Sequence, residues 1–125
     1  MFAATPYVIG EVLGLLKRAN LRGGLTAEQY FAASEDLMGR LRTGSLQIEE
    51  QRLSERDVFD ATERIATKYR IDLVDAHQLV TLQKCLFGSL KGESQGILVT
   101  ADNALAEAAA TEGLRVWNCL ADSAP

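Results

Sequence analysis

Ile97-Leu98-Val99-Thr100-Ala101-Asp102 is the stretch whose reading decides the fold. Four residues suited to a strand end in a carboxylate, and an alanine-rich, helix-forming run follows at once over 103–112. Gly113 suits the left-handed position that closes such a helix, and 114–118 returns as a second strand. A strand, a helix and a strand in so short a span predict a parallel pair. Asp102 then stands at the carboxyl edge of the sheet, where open α/β folds build their binding sites.

Working outward, the punctuation of the rest is clear. Phe2 to Ala4 reads as a short strand. Thr5-Pro6 reads as an N-cap followed by proline at the first helical position. Val8, Val12, Leu15 and Leu16 repeat at helical spacing, and Gly23-Gly24 ends the segment. Thr26-Ala27-Glu28-Gln29 is a capping box that opens a second helix running to about Leu41. Thr43-Gly44 is a turn, and a strand is expected at 46–50. Ser54 with Asp57 marks a third helix, whose stripe is Val58, Thr62, Ile65 and Tyr69. Asp72 caps a fourth helix, in which Ala76, Leu79, Val80, Gln83, Leu86 and Phe87 share a face, and 88–96 reads as a surface loop. Strands alternating with helices predict an α/β fold with a short, mostly parallel sheet. The strands are all short, and none is the long apolar strand expected at the centre of such a sheet.

The chain has 125 residues, 47% apolar and 24% charged. This composition is that of a globular chain with a real core. One domain is expected over 1–120, with a flexible tail at 121–125. No apolar run approaches the roughly 18 residues of a membrane span. The first ten residues lack the basic start of a secretory signal and are interrupted by Pro6, so a cytoplasmic location is expected. Cys85 and Cys119 share no metal-ligand spacing and are expected to be reduced thiols packed in the core. The single His77 argues against a zinc site. The net charge of −4 is not the footprint of a passive nucleic-acid binder. The charge is uneven, however, at +1 over 1–44 and −5 over 45–125. Lys17, Arg18 and Arg22 form the nearest thing to a basic cluster. They are either phosphate ligands or the solvated end of a helix, where cations suit the macrodipole.

Three acids stand out, each with a structural reading beside the functional one. Asp102 is also an ordinary N-cap. Asp75 falls at N3 if Asp72 is the cap, where a carboxylate favours the helix dipole. Glu11 lies in an otherwise apolar helix with leucine, not a cation, at i+4, and is either on the solvent face or aimed at something. If the three converge, a cation must neutralise them. Mg²⁺ and Mn²⁺ prefer such hard oxygen ligands, and one or two carboxylates with waters suffice. A metal held so polarises a phosphodiester and activates water for in-line attack. Thr100 has a hydroxyl placed to hydrogen-bond a carboxylate or such a water; its structural role is as a strand residue.

Thr5-Pro6-Tyr7-Val8-Ile9-Gly10-Glu11-Val12-Leu13, Asp72-Leu73-Val74-Asp75-Ala76 and Leu98-Val99-Thr100-Ala101-Asp102, followed by Gly113-Leu114-Arg115-Val116, together resemble the PIN-domain family. The likeness is strongest to the toxin nucleases of bacterial VapBC toxin–antitoxin pairs. It implies a three-layer sandwich and a Mg²⁺- or Mn²⁺-dependent endoribonuclease with Glu11, Asp75 and Asp102 at the metal. It also implies a homodimer, and silencing by a cognate antitoxin that inserts a tail into the acidic pocket. The family begins with a strand carrying a further aspartate. In this resemblance Phe2 to Thr5 matches the family's second strand, so the first, central strand and its aspartate are missing. A late start of the reading frame, a degenerate copy, or a partner chain filling the place by strand addition or swapping are the arrangements open to it. A catalytically inactive interaction module is the alternative function. A generic nucleotide-binding domain is a weaker one, because no glycine-rich phosphate loop is present.

Overall fold

The computed structural model describes residues 2–85 and 96–125. The order of elements is β1 (Phe2–Ala4), α1 (Pro6–Leu21), α2 (Ala27–Thr43), β2 (Leu46–Ile48), α3 (Arg56–Tyr69), α4 (Leu73–Lys84), β3 (Ile97–Thr100), α5 (Asn103–Thr111) and β4 (Arg115–Asn118). The fold is α/β with short parallel strand pairs. The chain falls into two compact units, Met1–Glu50 and Gln51–Pro125. The expected Leu86 and Phe87, and the loop expected at 88–96 up to residue 95, lie outside the described residues.

In the first unit β1 pairs parallel with β2, Phe2 opposite Leu46 and Ala4 opposite Ile48. The Glu49 N–H adds one more bond, to the Ala4 carbonyl. The strand expected at 46–50 stops at Ile48, because β1 offers only three residues to pair with. Thr5 is the N-cap of α1, its Oγ1 accepting from the Val8 N–H at 3.3 Å, and Pro6 follows where its missing donor costs nothing. Gly23, at φ +81°, turns the chain out of α1. The capping box of α2 is complete: Gln29 N–H donates to Thr26 Oγ1 at 3.1 Å, and Thr26 N–H donates to Gln29 Oε1 at 2.9 Å. Helix α2 runs two residues past the expected Leu41 and ends on left-handed Gly44. The two helices are linked by Lys17, whose ammonium lies 4.7 Å from the centre of the Tyr30 ring. Burial here is thin. Ile9 is the buried residue of α1, and no residue of α2 is buried.

The second unit holds the larger core. Helix α3 buries the expected stripe, Val58, Thr62 and Ile65, with Tyr69 partly buried. Its start differs from expectation. The Glu55 N–H closes a turn on the Arg52 carbonyl, which takes Ser54 into the turn and leaves Glu55 as an N-cap without a side-chain bond. Asp57 instead pairs with Lys84 of α4, and that hydrogen bond and charge hold its carboxyl below the usual range. Helix α4 is buried on several sides, with Ala76, His77, Leu79 and Val80 fully enclosed. Strands β3 and β4 pair parallel, Leu98 opposite Val116 and Thr100 opposite Asn118, with α5 as the crossover. Leu105, Ala108 and Ala109 of α5 join Leu98, Leu79 and Ile65 in one cluster.

Cys85 is buried as expected, but Cys119 is exposed, and both are free thiols. Cys119 lies one residue past β4, in a turn at the strand's end rather than within the strand. Past it, the Ala121 and Asp122 N–H groups both return to the Asn118 carbonyl.

The far end of α5 carries a polar knot. Glu112 is its C-cap residue, with its side chain mostly enclosed. It accepts from the Tyr69 hydroxyl at 2.7 Å and from Lys68 Nζ at 3.1 Å, with Gln83 Nε2 at 3.4 Å and Arg64 at 3.9 Å. The Tyr69 hydroxyl and then Lys68 hold the Glu112 carboxyl below its ordinary value, against the opposing effect of burial. Its ionised form is therefore favoured by folding. That contribution is complete above about pH 4.3, the unfolded value, and fades as pH falls through the lower folded value. The Glu112→Gln variant should lose about 1–3 kcal/mol at pH 7. Thermal unfolding from pH 7 downward should show its deficit against the parent closing below about pH 4.

Candidate functional site

Parallel pairing of β3 with β4 puts Thr100, Asp102 and Asn118 at one edge of the second unit. Asp102 is the N-cap of α5, its Oδ1 accepting from the Leu105 N–H at 3.0 Å. Its own N–H donates to Thr100 Oγ1 at 3.0 Å. The Thr100 hydroxyl therefore supports the Asp102 backbone rather than its carboxylate. Asp102 Oδ2 takes no hydrogen bond among the described residues, and the side chain is exposed.

Reading the sequence missed what stands behind Asp102. Asn118 is 6% exposed. Its Nδ2 donates to Asn103 Oδ1 at 2.7 Å, and its Oδ1 accepts from the Leu120 N–H at 3.2 Å. The Asn118 N–H donates to Asp122 Oδ2 at 3.2 Å. The amide thus ties the first residue of α5 to the turn after β4. The only signal in sequence was an asparagine ending an otherwise half-buried strand.

Asp75 sits at N3 of α4, where its N–H donates to Asp72 Oδ1 at 2.8 Å. Its Oδ1 accepts from Gln78 Nε2 at 3.3 Å. Both aspartates thus have the helix-start roles weighed for them, and both belong to the second unit. Next to Asp75, the enclosed His77 bonds through Nε2 to the Gln51 carbonyl. Glu11 belongs to the first unit, exposed on α1. Among the described residues, no group of three or more His, Cys, Asp and Glu side chains is gathered to hold a metal ion. The donors fit Mg²⁺ or Mn²⁺ in kind. They are hard carboxylate oxygens, and Asp102 keeps one of them uncommitted.

Of the basic cluster, Lys17 is engaged with Tyr30. Arg18 and Arg22 are exposed in the last turn and at the C-cap of α1. No described helix is long and apolar enough to cross a membrane. No protein-family model, curated protein or solved structure matches this chain.

Because the cap and the chemistry share one side chain, two substitutions separate them. Asp102→Ala should lower stability by about 1 kcal/mol, whereas Asp102→Asn should stay within a few tenths, since asparagine caps as well as aspartate. Urea unfolding of the two variants checks this.

Proposed function

We propose that this chain is a PIN-like, metal-dependent endoribonuclease, the toxin of a type II toxin–antitoxin pair, that hydrolyses RNA phosphodiesters. The observation that carries the reading is Asp102. It follows a parallel strand at the carboxyl edge, caps the crossover helix with one oxygen, and keeps the other without a hydrogen bond among the described residues. In this reading the short parallel pairs are parts of a PIN-like three-layer sandwich. Glu11, Asp75 and Asp102 would hold Mg²⁺ or Mn²⁺, which when bound supplies water activated for attack on phosphorus. Thr100 and the Asn118–Asn103 bond hold the Asp102 backbone and the helix start in place, so the carboxylate is pre-oriented. RNA is the substrate, and a cognate antitoxin and a second copy of the chain are the partners.

A second reading, a non-catalytic interaction module, is favoured by the apolar surface of the first unit. Phe2 is 71% exposed, Phe31 66% and Leu15 59%. Such a surface suits a protein partner.

Calorimetric titration with Mn²⁺ separates the two. The parent chain should bind saturably, and the Asp75→Asn/Asp102→Asn double variant should lose that binding while staying folded. RNA cleavage should survive purification to constant specific activity and vanish in Asp102→Asn. A folded chain that binds no Mn²⁺ and leaves RNA intact would pass the lead to the interaction module.

A further inference from the structure

Helix α1 carries a polar arrangement that the structural roles above leave unused. Glu11, Arg18 and Arg22 are spaced by seven and four residues. At about 100° per residue, the two arginines fall about 20° to either side of the Glu11 meridian. At about 1.5 Å per residue, they lie about 10 and 16 Å along the axis from it. Lys17 is about 120° away around the helix, on the side where Tyr30 is met.

Two observations bear on these arginines. The first is that no carboxylate pairs with them among the described residues, a property that Arg70 of the second unit shares. Among the described residues, most lysines and arginines stand beside a carboxylate, as Arg40 does with Asp36, Arg42 with Glu35 and Lys84 with Asp57. Among those residues, neither Arg18 nor Arg22 is in an ion pair. The second is Gly14. A glycine inside a helix costs about 1 kcal/mol against alanine, and it is not required here by backbone conformation. A Cβ at this position would meet Arg18 Nη1 at 3.4 Å. The Arg18 guanidinium thus lies back along the helix over Gly14, toward the Glu11 turn, at a distance that a Cβ would meet as ordinary van der Waals contact. Gly10, one turn earlier, leaves the surface open, with nothing within 4 Å of a Cβ built there.

We infer that Arg18 and Arg22 form a two-point phosphate rail on the Glu11 face of α1, which holds the backbone of single-stranded RNA. The inference rests on the ribonuclease reading for the identity of the polyanion. Guanidinium groups match phosphate oxygens with paired donors. Their spacing of one helical turn lets them hold separate phosphates of one strand. The acid at the head of the face gives the rail a polarity, since it repels phosphate unless a cation intervenes. With a net charge of −4 the chain has no general attraction for RNA, so a few placed cations must carry the electrostatic part of binding.

The test is fluorescence anisotropy of a labelled, short single-stranded RNA of mixed sequence, with Ca²⁺ present, across a series of NaCl concentrations. Arg18→Gln and Arg22→Gln should each flatten the slope of log affinity against log salt by about 0.7, and the double variant by about twice that. Thermal unfolding should barely move. Arg70 is the control: it is exposed, in no ion pair among the described residues and in the second unit, and Arg70→Asn suits its left-handed backbone. That variant should keep the parent slope. An unchanged slope in the double variant, an equal loss in Arg70→Asn, or no RNA binding by the parent would each overturn the inference. The ribonuclease reading fails on a different readout, the absence of Mn²⁺ binding and of cleavage. The two failures are therefore distinguishable.

Discussion

The enclosure of helix α4 is the constraint on which the second unit depends. Ala76, Leu79 and Val80 are fully buried, and so is His77 on another side of the same helix. A helix buried on several sides needs neighbours on each, and α3 and the β3–α5–β4 crossover share one cluster with it. The burial also brings an imidazole out of water, which is tolerated because the Gln51 carbonyl meets Nε2. The helix start is fixed at the surface by Asp72, so Asp75 is delivered at N3, one residue before the enclosed turn begins.

The crossover helix α5 is held at both ends by polar groups, and the two ends do different work. At its C-terminus the enclosed Glu112 gathers Tyr69 and Lys68 from α3 and Gln83 from α4. That end is a joint, in which a desolvated carboxylate is stabilised by charge-assisted bonds. At its N-terminus Asn118 binds Asn103 across the edge, while Asp102 spends one oxygen on the helix and keeps the other. A fully satisfied joint at one end and an uncommitted acid at the other is the asymmetry expected of an element that is anchored and also presents a group.

The first unit is built on other terms. Its caps are complete and its strand register is plain, yet its helices bury little. Apolar side chains that elsewhere would form a core, Phe2, Leu15 and Phe31 among them, face solvent. Local signals therefore hold the elements of this unit, and packing within it adds less. This is why both functional readings look to it for contacts with other molecules, a polyanion along α1 or a protein over the apolar residues.

Much of the secondary structure was determined by local chemistry and was legible in the chain. Thr5-Pro6, Thr26 with Gln29, Asp72, Asp102 and Gly113 set element ends through bonds that span three or four residues, which a linear reading contains. The start of α3 was not legible, because the turn from Arg52 to Glu55 competed with Ser54 for the capping role, and Asp57 was drawn to Lys84, distant in sequence. The extent of β2 was decided by the length of its partner strand, and the exposure of Cys119 by its place in a turn beyond β4. Of the candidate site, the sequence by itself determined that Glu11, Asp75 and Asp102 sit on helices or at helix starts. The parallel pairing of β3 with β4 was also legible there, from a strand, a helix and a strand in a short span. The tertiary structure decided that Asn118 stands behind Asp102 and that Lys17 is spent on Tyr30. The reason is the range of the interactions. Caps and periodicity are encoded within one turn, whereas buried amides and cation–ring contacts depend on which distant residue the fold brings alongside.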